Sequence, residues 1–468
     1  MDVNEVKRHL LQNLDFEPTK DQNLFLQKIG MFLADPRFKD LFILRGYAGT
    51  GKTTMLSTIV KTLPSLKLKT VLLAPTGRAA KVMSLYSGTT AFTIHKKIYW
   101  LDENTGEMRF SLGKNKHTNT LFIVDEASMI QGFTPGSYSN LLDDLVSYVY
   151  SGKNCKLLLV GDIAQLPPVG SELSPALIPS YFRDEFHFTI DGVELKEVVR
   201  QEADSGILAN ATVLRDNIET EHFELNISTK PYSDIRNITG SELEEYLNSA
   251  YSEYGEEEVL VVTRSNKRAN LFNQQIRSRI LYREEEIAAG DLLMVVKNNY
   301  HWLDPKSKAG FIANGDTFSV NRVFGYEEFH GYKFANVSGY LVDYPDEPEL
   351  EVKIIVDTIH VEAPALSQED NERLFWSVYE DYFDAKSKSE RMQKVKNDPF
   401  YNALQVKFAY AVTCHKAQGG QWPVVFIDQG YLTEEMLNKE LMRWMYTAFT
   451  RSTQYLYLVN FNQNFLAD

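Results

Sequence analysis

The stretch Gly46-Tyr47-Ala48-Gly49-Thr50-Gly51-Lys52-Thr53 has the pattern G-x-x-x-x-G-K-T. An apolar run at 41–44 precedes it, and a helical pattern at 53–63 follows it. A phosphate-binding loop needs this order of strand, glycine loop and helix, because the glycines turn backbone N–H groups onto the phosphates and the helix dipole favours their charge. We therefore predict that the stretch binds a nucleotide, in preference to being a chance glycine-rich turn.

The loop chemistry indicates ATP and Mg²⁺ as cofactors. Lys52 is expected to reach the β- and γ-phosphates, and the Thr53 hydroxyl is expected to hold the metal ion. The predicted nucleotide contacts of this region are Gly46, Gly49, Thr50, Gly51, Lys52, Thr53 and Thr54.

Two further strand ends carry polar side chains suited to hydrolysis. After the apolar run 121–124, Asp125 is predicted to bind Mg²⁺ and Glu126 to act as the base for the attacking water. Such a pair is often only a solvated turn, but its place in the sequence suits a Walker B acid. After the run 157–160, Gln165 is predicted to contact the γ-phosphate, and a rigid loop with an incidental glutamine is an equal alternative.

Composition places the chain among ordinary globular proteins. Its 468 residues are 44% hydrophobic and 24% charged, enough for about two to four domains. The sequence shows no secretion signal and no apolar run long enough to cross a bilayer, and Cys155 and Cys414 have no metal-ligand spacing. We expect an intracellular, cytoplasmic protein (nucleoid-associated or phage-encoded) with no membrane partner.

The net charge of −14 argues against a nucleic-acid partner when taken alone. The argument is weak, because a motor protein can concentrate positive potential in one cleft while its outer faces stay acidic.

The order of apolar and turn patterns predicts an α/β fold with two insertions. The predicted units are a first α/β domain at 1–97 and 119–192, a β-hairpin at 98–118, a second α/β domain at 193–290 and 405–468, and an inserted β-barrel with a charged helical arm at 291–404. The hairpin turn is expected at 104–106.

Four segments resemble the signature motifs of superfamily-1 helicases of the 5′-to-3′ branch, the RecD-like and Dda-like enzymes. They are Ala-Pro-Thr-Gly-Arg-Ala-Ala at 74–80, Val-Gly-Asp-Ile-Ala-Gln-Leu-Pro-Pro-Val at 160–169, Val-Thr-Cys-His-Lys-Ala-Gln-Gly at 412–419 and Tyr-Thr-Ala-Phe-Thr-Arg at 446–451. The resemblance implies two RecA-like P-loop motor domains, a hairpin that serves as a strand-separating pin, and an SH3-like barrel. Segment 74–80 also looks like the 3′-to-5′ branch, which is a lesser alternative.

The resemblance assigns further residues to the nucleotide. Gln22, in Thr19-Lys20-Asp21-Gln22, corresponds to the adenine-reading glutamine, although Thr19 would equally start an ordinary helix. Arg200 and Arg451 correspond to arginines that touch the γ-phosphate from the second motor domain, and Gly419 to a residue that links a DNA-binding loop to ATP. A lone arginine at a helix end is otherwise more often a capping or surface residue.

The resemblance also implies contacts with DNA. The predicted DNA-binding residues are Pro75, Thr76, Gly77, Arg78, His95, Asn298, Thr413, His415 and Lys416. Without the motif, His95 would be read as a core histidine. Tyr99, Trp100 and Phe110 are predicted to stack on a base at the fork or, alternatively, to form the small core of the hairpin itself.

The resemblance thus implies a DNA-dependent ATPase that moves 5′ to 3′ on single-stranded DNA and separates a duplex at the pin. Expected partners are single-stranded and forked DNA and replication or recombination proteins, with the chain acting as a monomer. Two alternatives stay open: a translocase that displaces proteins or remodels forks without efficient unwinding, and an ATP-gated switch or scaffold that binds nucleic acid.

Overall fold

The computed structural model describes residues 2–35, 40–102, 109–132, 140–199, 205–304, 307 and 309–467. This part of the chain contains two parallel sheets, one closed barrel and one two-stranded sheet. No helix among these residues has both the length and the apolar character to cross a bilayer.

The first domain is built on a six-stranded parallel sheet. The strands of this half are β1 (Leu41–Gly46), β2 (Lys69–Ala74), β3 (Ala91–Thr93), β4 (Tyr99–Asp102), β5 (Arg109–Leu112), β6 (Thr118–Val124), β7 (Lys153–Gly161) and β8 (Ile190–Leu195). The sheet order is β3-β2-β6-β7-β1-β8, while β4 and β5 form a separate two-stranded sheet. Because β1 lies inside the sheet with helices on both faces, its apolar run is buried and the phosphate loop begins at its carboxyl end.

Helices cover both faces of this sheet. They are α1 (Val3–Gln12), α2 (Lys20–Ala34), α3 (Lys52–Thr62), α4 (Gly77–Ser87), α5 (Ile94–Ile98), α6 (Leu141–Tyr150) and α7 (Pro179–Phe186). Two apolar clusters, one on each face, include Phe42 and Leu44 on one side and Leu41 and Ile43 on the other. Because successive side chains of β1 point to opposite faces of the sheet, this one strand contributes to the apolar cores on both faces.

The remaining strands divide between a second parallel sheet and a barrel. They are β9 (Ile235–Ile238), β10 (Val259–Thr263), β11 (Leu292–Val295), β12 (Thr317–Phe329), β13 (Tyr332–Leu341), β14 (Leu350–Ile355), β15 (Leu404–Phe408), β16 (Ala411–Thr413), β17 (Trp422–Asp428) and β18 (Ser452–Val459). The second sheet has the order β16-β10-β17-β18-β9, and β11 to β15 close the barrel.

The helices of this half follow the same division. They are α8 (Gly206–Thr220), α9 (Leu243–Tyr254), α10 (Asn266–Gln275), α11 (Asp357–His360), α12 (Gln368–Asp381), α13 (Lys388–Lys396), α14 (Cys414–Ala417) and α15 (Lys439–Phe449). Helices α12 and α13 form the charged arm, which packs on the barrel through Leu374, Val378 and Val395.

The α/β class and the inserted barrel are confirmed, whereas the SH3-like classification stays a prediction. Two predicted limits differ from the observed elements. Strand β8 pairs with β1 as far as Leu195, past the predicted end of the first domain at 192. Strand β15 pairs with the barrel strand β11 as far as Phe408, past the predicted end of the inserted barrel at 404. Both strands give a weak local signal: β8 lies at the sheet edge with only Val193 and Leu195 buried, and β15 ends at Phe408, just before β16 begins at Ala411.

The predicted hairpin is present as β4 and β5, which pair in antiparallel register from Tyr99 with Leu112 to Asp102 with Arg109. The Gly113 N–H donates to the Ile98 carbonyl at 2.7 Å and closes its root. The turn predicted at 104–106 lies outside the described residues. The use of this hairpin as a pin stays a prediction.

Candidate nucleotide and nucleic-acid site

The glycine loop adopts a backbone that only glycine takes without strain. Gly49 and Gly51 have φ values of 76° and 85°, in the left-handed region. A Cβ on Gly51 would stand 2.7 Å from Gln22 Nε2, so the loop is also sterically closed to larger residues. Helix α3 begins at Lys52, which aims its N-terminus at the loop, as predicted for a phosphate cradle.

Lys52 lies folded onto the loop it follows. Its Nζ donates to the Gly46 carbonyl at 2.6 Å and to the Tyr47 carbonyl at 2.8 Å, and it stands 3.7 Å from Asp162 Oδ2. The lysine charge is thus held at the centre of the loop by two neutral acceptors and one carboxylate.

A tyrosine of the second domain completes this arrangement. The Tyr446 hydroxyl donates to Asp162 Oδ2 at 2.7 Å and accepts from the Ala48 N–H at 2.7 Å. Tyr446 belongs to α15, so a helix of the second domain bonds directly to the phosphate loop of the first. Tyr446 and Asp162 stand inside the motifs at 446–451 and 160–169, and their position there is the only sign of a role that the sequence gives.

The predicted metal and base residues follow β6. Asp125 Oδ2 accepts from the Tyr86 hydroxyl at 2.8 Å, and its Oδ1 accepts from the Glu126 N–H at 2.8 Å. Burial raises the pKa of Asp125. Burial also raises the pKa of Glu126 to about 7, and the charge of Asp125 adds to that rise. Glu126 has φ 54°, a left-handed backbone that costs a non-glycine residue free energy and that clusters at functional sites.

The Gln165 loop is held by the second domain on both sides of Leu166. The Leu166 N–H donates to Thr447 Oγ1 at 2.8 Å, and Gln418 Nε2 donates to the Leu166 carbonyl at 2.7 Å. Gln165 is 6% exposed, and its Oε1 has no hydrogen-bond partner among the described residues. A buried amide oxygen without a partner is costly, so the geometry leaves a place for a donor such as a water.

Arg451 and Gln22 are both held by protein contacts. Arg451 is 2% exposed and donates to the carbonyls of Thr447 and Gly420, each at 3.0 Å. Gln22 forms a capping box with Thr19 at the start of α2, and its Nε2 donates to the Thr50 carbonyl at 3.1 Å. Thr19 therefore caps the start of α2, as the structural alternative predicts, and the adenine contact of Gln22 stays a prediction. Arg200 lies outside the described residues.

The residues at this cleft fit a nucleoside triphosphate with Mg²⁺. The glycine cradle excludes side chains, since a Cβ on Gly46 would stand 2.9 Å from Lys52 Cγ, and Gln165 offers an unpartnered acceptor. Thr53 is exposed at the first turn of α3 and Asp125 follows β6; a hydroxyl and a carboxylate are oxygen ligands of the kind that Mg²⁺ prefers.

Several predicted DNA-binding residues meet at the domain boundary. The Arg78 guanidinium lies 4.0 Å from the centroid of the Trp422 ring, and Thr76, Arg78, Lys416 and Trp422 line one interdomain pocket. Gly419, with φ 74°, packs beside Thr76, since a Cβ there would stand 3.2 Å from Thr76 Oγ1.

The barrel contributes to the same boundary. Lys416 Nζ donates to Asn314 Oδ1 at 2.6 Å, and the Asn314 N–H donates to Asn298 Oδ1 at 2.7 Å. A Cβ on Gly77 would overlap Asp316 Oδ1, so the loop after β2 touches the barrel directly. Pro75 is half-buried in that loop, and Thr413 is half-buried at the start of α14.

Three predicted residues lie elsewhere. His415 is exposed and lines a cleft with the loop at 166–173. His95 stands beside Tyr99, with ring centroids 5.7 Å apart, and burial lowers the pKa of His95. The Tyr99 hydroxyl donates to Asp144 Oδ2 at 2.6 Å and its ring packs on the first-domain core, which supports the structural alternative for Tyr99. The side chains of Trp100 and Phe110 lie outside the described part.

Comparison with known proteins gives matches in both α/β domains. Residues 34–229 match an AAA domain, and residues 408–459 match a UvrD-like helicase C-terminal domain. The chain is 35% identical over 137 residues to the ATP-dependent RecD2 DNA helicase of Deinococcus radiodurans, covering 28% of this chain and 17% of that protein. It is 27% identical over 271 residues to the ATP-dependent DNA helicase dda of Enterobacteria phage T4, covering 54% of this chain and 55% of that protein.

The chain thus spans about half the length of the T4 protein and a smaller part of RecD2. Among solved structures, a Pif1 helicase from Bacteroides in complex with ADP-AlF3 and single-stranded DNA aligns with a TM-score of 0.48 at 15% identity, covering 97% of this chain and 95% of that one. Over these parts the chain is similar to an AAA domain, to a UvrD-like helicase C-terminal domain and to two ATP-dependent DNA helicases, which supports the resemblance to superfamily-1 helicases.

Proposed function

We propose that the chain is an ATP-dependent DNA helicase that moves 5′ to 3′ on single-stranded DNA and opens a forked duplex at the β4–β5 hairpin. The observation that carries this proposal is the hydrogen-bonded path from the Ala48 N–H through Tyr446 to Asp162, beside Lys52. It ties the phosphate loop to the second domain, so a change at the loop changes the contact between the two domains.

Lys52 is the first residue to respond in this scheme. To reach phosphates, its ammonium group must leave the carbonyls of Gly46 and Tyr47, which it now bonds. That movement also takes its charge away from Asp162, which accepts from the second-domain hydroxyl of Tyr446 and from the Ala164 N–H. Bound ATP with Mg²⁺ would supply the γ-phosphate whose release drives the cycle.

The remaining groups have complementary roles. Thr53 and Asp125 would hold Mg²⁺, Glu126 would accept the proton of the attacking water, and Arg451 would turn from its carbonyl partners to the γ-phosphate, joined by Arg200. Gln165 would orient the water with its unpartnered Oε1. Because Gln165 is followed by Leu166, which bonds to Thr447 and Gln418, the hydrolysis step is coupled to the domain contact.

The DNA track would cross the boundary where Thr76 and Arg78 of one domain meet Lys416 of the other. Backbone N–H groups and small hydroxyls there bind phosphates without reading sequence. Domain movement would shift these two sets relative to each other, with Asn298 and Thr413 supporting the second set. Ligand-driven closure of this kind follows from contacts made in one state and lost in the other.

A strand-displacement assay on duplexes with either a 5′ or a 3′ tail tests the polarity, and ATP turnover with and without single-stranded DNA tests the motor. We expect DNA-stimulated turnover and unwinding of the 5′-tailed duplex only. Turnover without unwinding would favour the translocase alternative, and binding without turnover would favour the switch or scaffold. Unwinding of the 3′-tailed duplex alone would reject the proposed polarity.

Two variants test the site itself. Lys52→Ala is expected to abolish turnover, while Lys61→Ala, an exposed lysine at the other end of α3, should leave it unchanged. Glu126→Gln should keep ATP binding and reduce the rate of hydrolysis by more than about tenfold. This threshold is set lower than the usual contribution of a general base, which is about 10² to 10⁴ fold. Unchanged turnover of Lys52→Ala would reject the nucleotide site.

A further inference from the structure

Four lysines line a groove at the root of the β4–β5 hairpin. Lys96 and Lys97 belong to α5, which runs directly into β4, and Lys114 and Lys116 belong to the segment that returns from β5. The groove has a volume of about 340 Å³. We call it the root groove. Its lining is separate from that of the interdomain pocket of Arg78 and Lys416.

The charge of the root groove contrasts with that of the whole chain. The chain carries 63 acidic and 49 basic residues, yet no carboxylate of the described part forms an ion pair with any of these four lysines. Lys96 donates to the Ser307 carbonyl at 2.9 Å and also feels the charge of Glu347. Four lysines that form no ion pair within the described residues, in an acidic protein, offer a site for an anionic ligand.

The two exposed lysines are presented on a fixed backbone. Between them, the Asn115 amide donates to the carbonyls of Tyr148 and Val149 at 2.9 and 3.1 Å, and Asn115 Oδ1 accepts from the His117 N–H at 2.9 Å. In this segment Lys114 and Lys116 are exposed while Asn115 and His117 are half-buried. Both lysines line the root groove, so both amines are available to the same ligand.

The amines of Lys96 and Lys97 both lie near the ring of Phe92. The Nζ atoms of Lys96 and Lys97 lie 5.6 and 5.3 Å from the centroid of the Phe92 ring. Burial lowers the pKa of Lys97 and lowers the pKa of Lys96 to about 8, because it disfavours the charged amine. A phosphate beside these amines would stabilise their charged form, as an opposite charge does.

We propose that the root groove binds backbone phosphates of the DNA ahead of the hairpin, outside the single-stranded track between the two α/β domains. The proposal deepens the proposed function and rests on it, because a duplex meets the hairpin only if the chain unwinds DNA. Lysine ammonium groups act as point charges, so the groove holds DNA without reading its sequence. The phosphates have two possible sources, the duplex itself or the displaced strand.

The test is the double substitution Lys114→Ala, Lys116→Ala, compared with Lys386→Ala, Lys388→Ala. The control pair has the same spacing and the same charge change, and both of its lysines are exposed on the arm. Binding is measured by fluorescence anisotropy with single-stranded DNA, a 5′-tailed duplex and a fork with both tails, over a range of salt concentrations. Thermal unfolding and turnover stimulated by single-stranded DNA are measured on the same samples.

We expect the Lys114, Lys116 variant to lose about tenfold in fork affinity at 0.1 M salt, with a salt slope smaller by about two, since each lost phosphate contact lowers it by about 0.9. Its affinity for single-stranded DNA and its turnover should match those of wild type. Loss on both duplex substrates assigns the phosphates to the duplex, and loss only with both tails assigns them to the displaced strand.

Equal losses on single-stranded and forked DNA, equal losses in the control pair, or no loss at all would overturn the proposal. Failure of the proposed function is seen separately, as absence of DNA-stimulated turnover or of 5′-tail unwinding in the wild type.

Discussion

At the residue scale, Tyr446 joins the two domains through one hydroxyl group. Its partners are the Ala48 N–H and the buried carboxylate of Asp162, both in the first domain. Tyr446→Phe would remove one hydrogen bond from the part-buried Ala48 N–H and one from the buried Asp162 carboxylate, which costs about 1 to 3 kcal/mol. We expect this variant to lose thermal stability and, in addition, DNA-stimulated ATP turnover.

The barrel offers a matched control for that substitution. The Tyr410 hydroxyl is also buried and donates to Asp291 Oδ1 at 3.0 Å, but Asp291 belongs to the barrel side of the chain, away from the phosphate loop. Tyr410→Phe should therefore cost stability and leave turnover per folded molecule unchanged. If both variants retained wild-type turnover, the role of Tyr446 would be structural only.

Asp316 gives a pH dependence with a defined sign. It is 1% exposed, and burial together with the charge of Asp343 raises the pKa of Asp316 to about 8, against about 3.9 in an unfolded chain. The folded state therefore binds this proton more tightly. The contribution of the protonated Asp316 carboxyl to the free energy of unfolding is fully present below about pH 4. It is lost as the pH rises to about 8, by at most about 1.4 kcal/mol per pH unit.

Asp316→Asn is expected to remove this dependence. Asparagine keeps an acceptor for the Ala313 N–H and cannot ionise beside Asp343, while Lys81 stays 3.6 Å from Asp343 Oδ1. The stability of the variant relative to wild type should increase from pH 5 to 8 and then level off, as measured by denaturant unfolding. Asp184→Asn, at an exposed position, is the control. A constant offset at every pH would contradict the buried, protonated state of Asp316.

At the element scale, the hairpin β4–β5 is expected to act on the duplex and not on the motor. Its strands form a two-stranded sheet of their own, and its root is fixed by the Gly113 to Ile98 hydrogen bond. Replacing residues 100–110 by a short glycine turn should preserve DNA-stimulated turnover and translocation and stop unwinding. Turnover and a streptavidin-displacement assay measure the first two, and strand displacement measures the third. Loss of all three would mean that the hairpin supports the domain instead.

Elements whose determinants are contiguous were predictable from sequence, and those that depend on distant pairing were not. The phosphate loop follows from one stretch, because the strand, the left-handed glycines and the helix start are all local. The contact of Tyr446 with Asp162 joins residues 284 positions apart, so no local sequence pattern predicts it. Likewise β15 becomes a barrel strand only through its pairing with β11 and β14. No local pattern indicates the root groove either, because its four lysines lie on both sides of the β4–β5 hairpin.

At the scale of the whole molecule, the proposed cycle requires the two domains to approach closely at Gly419. Its φ of 74° suits glycine, and a Cβ there would stand 3.1 Å from Ala79 Cβ and 3.4 Å from Met129 Sδ, both in the first domain. Gly419→Ala therefore combines local backbone strain with a steric block between domains. Gly430→Ala separates these effects, since Gly430 has a similar φ of 64° and a Cβ there would meet only Asp428 Oδ2, at 3.9 Å.

We expect Gly430→Ala to cost about 1 to 2 kcal/mol of stability, the usual penalty of a left-handed alanine, with turnover unchanged. Gly419→Ala should show a similar or larger loss of stability together with a fall in turnover of at least about tenfold, because about 1.4 kcal/mol against the closed arrangement already gives that factor. Denaturant unfolding and DNA-stimulated ATP turnover measure the two effects. If Gly419→Ala turned over ATP like Gly430→Ala, the motor would not need this close contact, and coupling between hydrolysis and movement would have to pass through Tyr446 and the Gln165 loop alone.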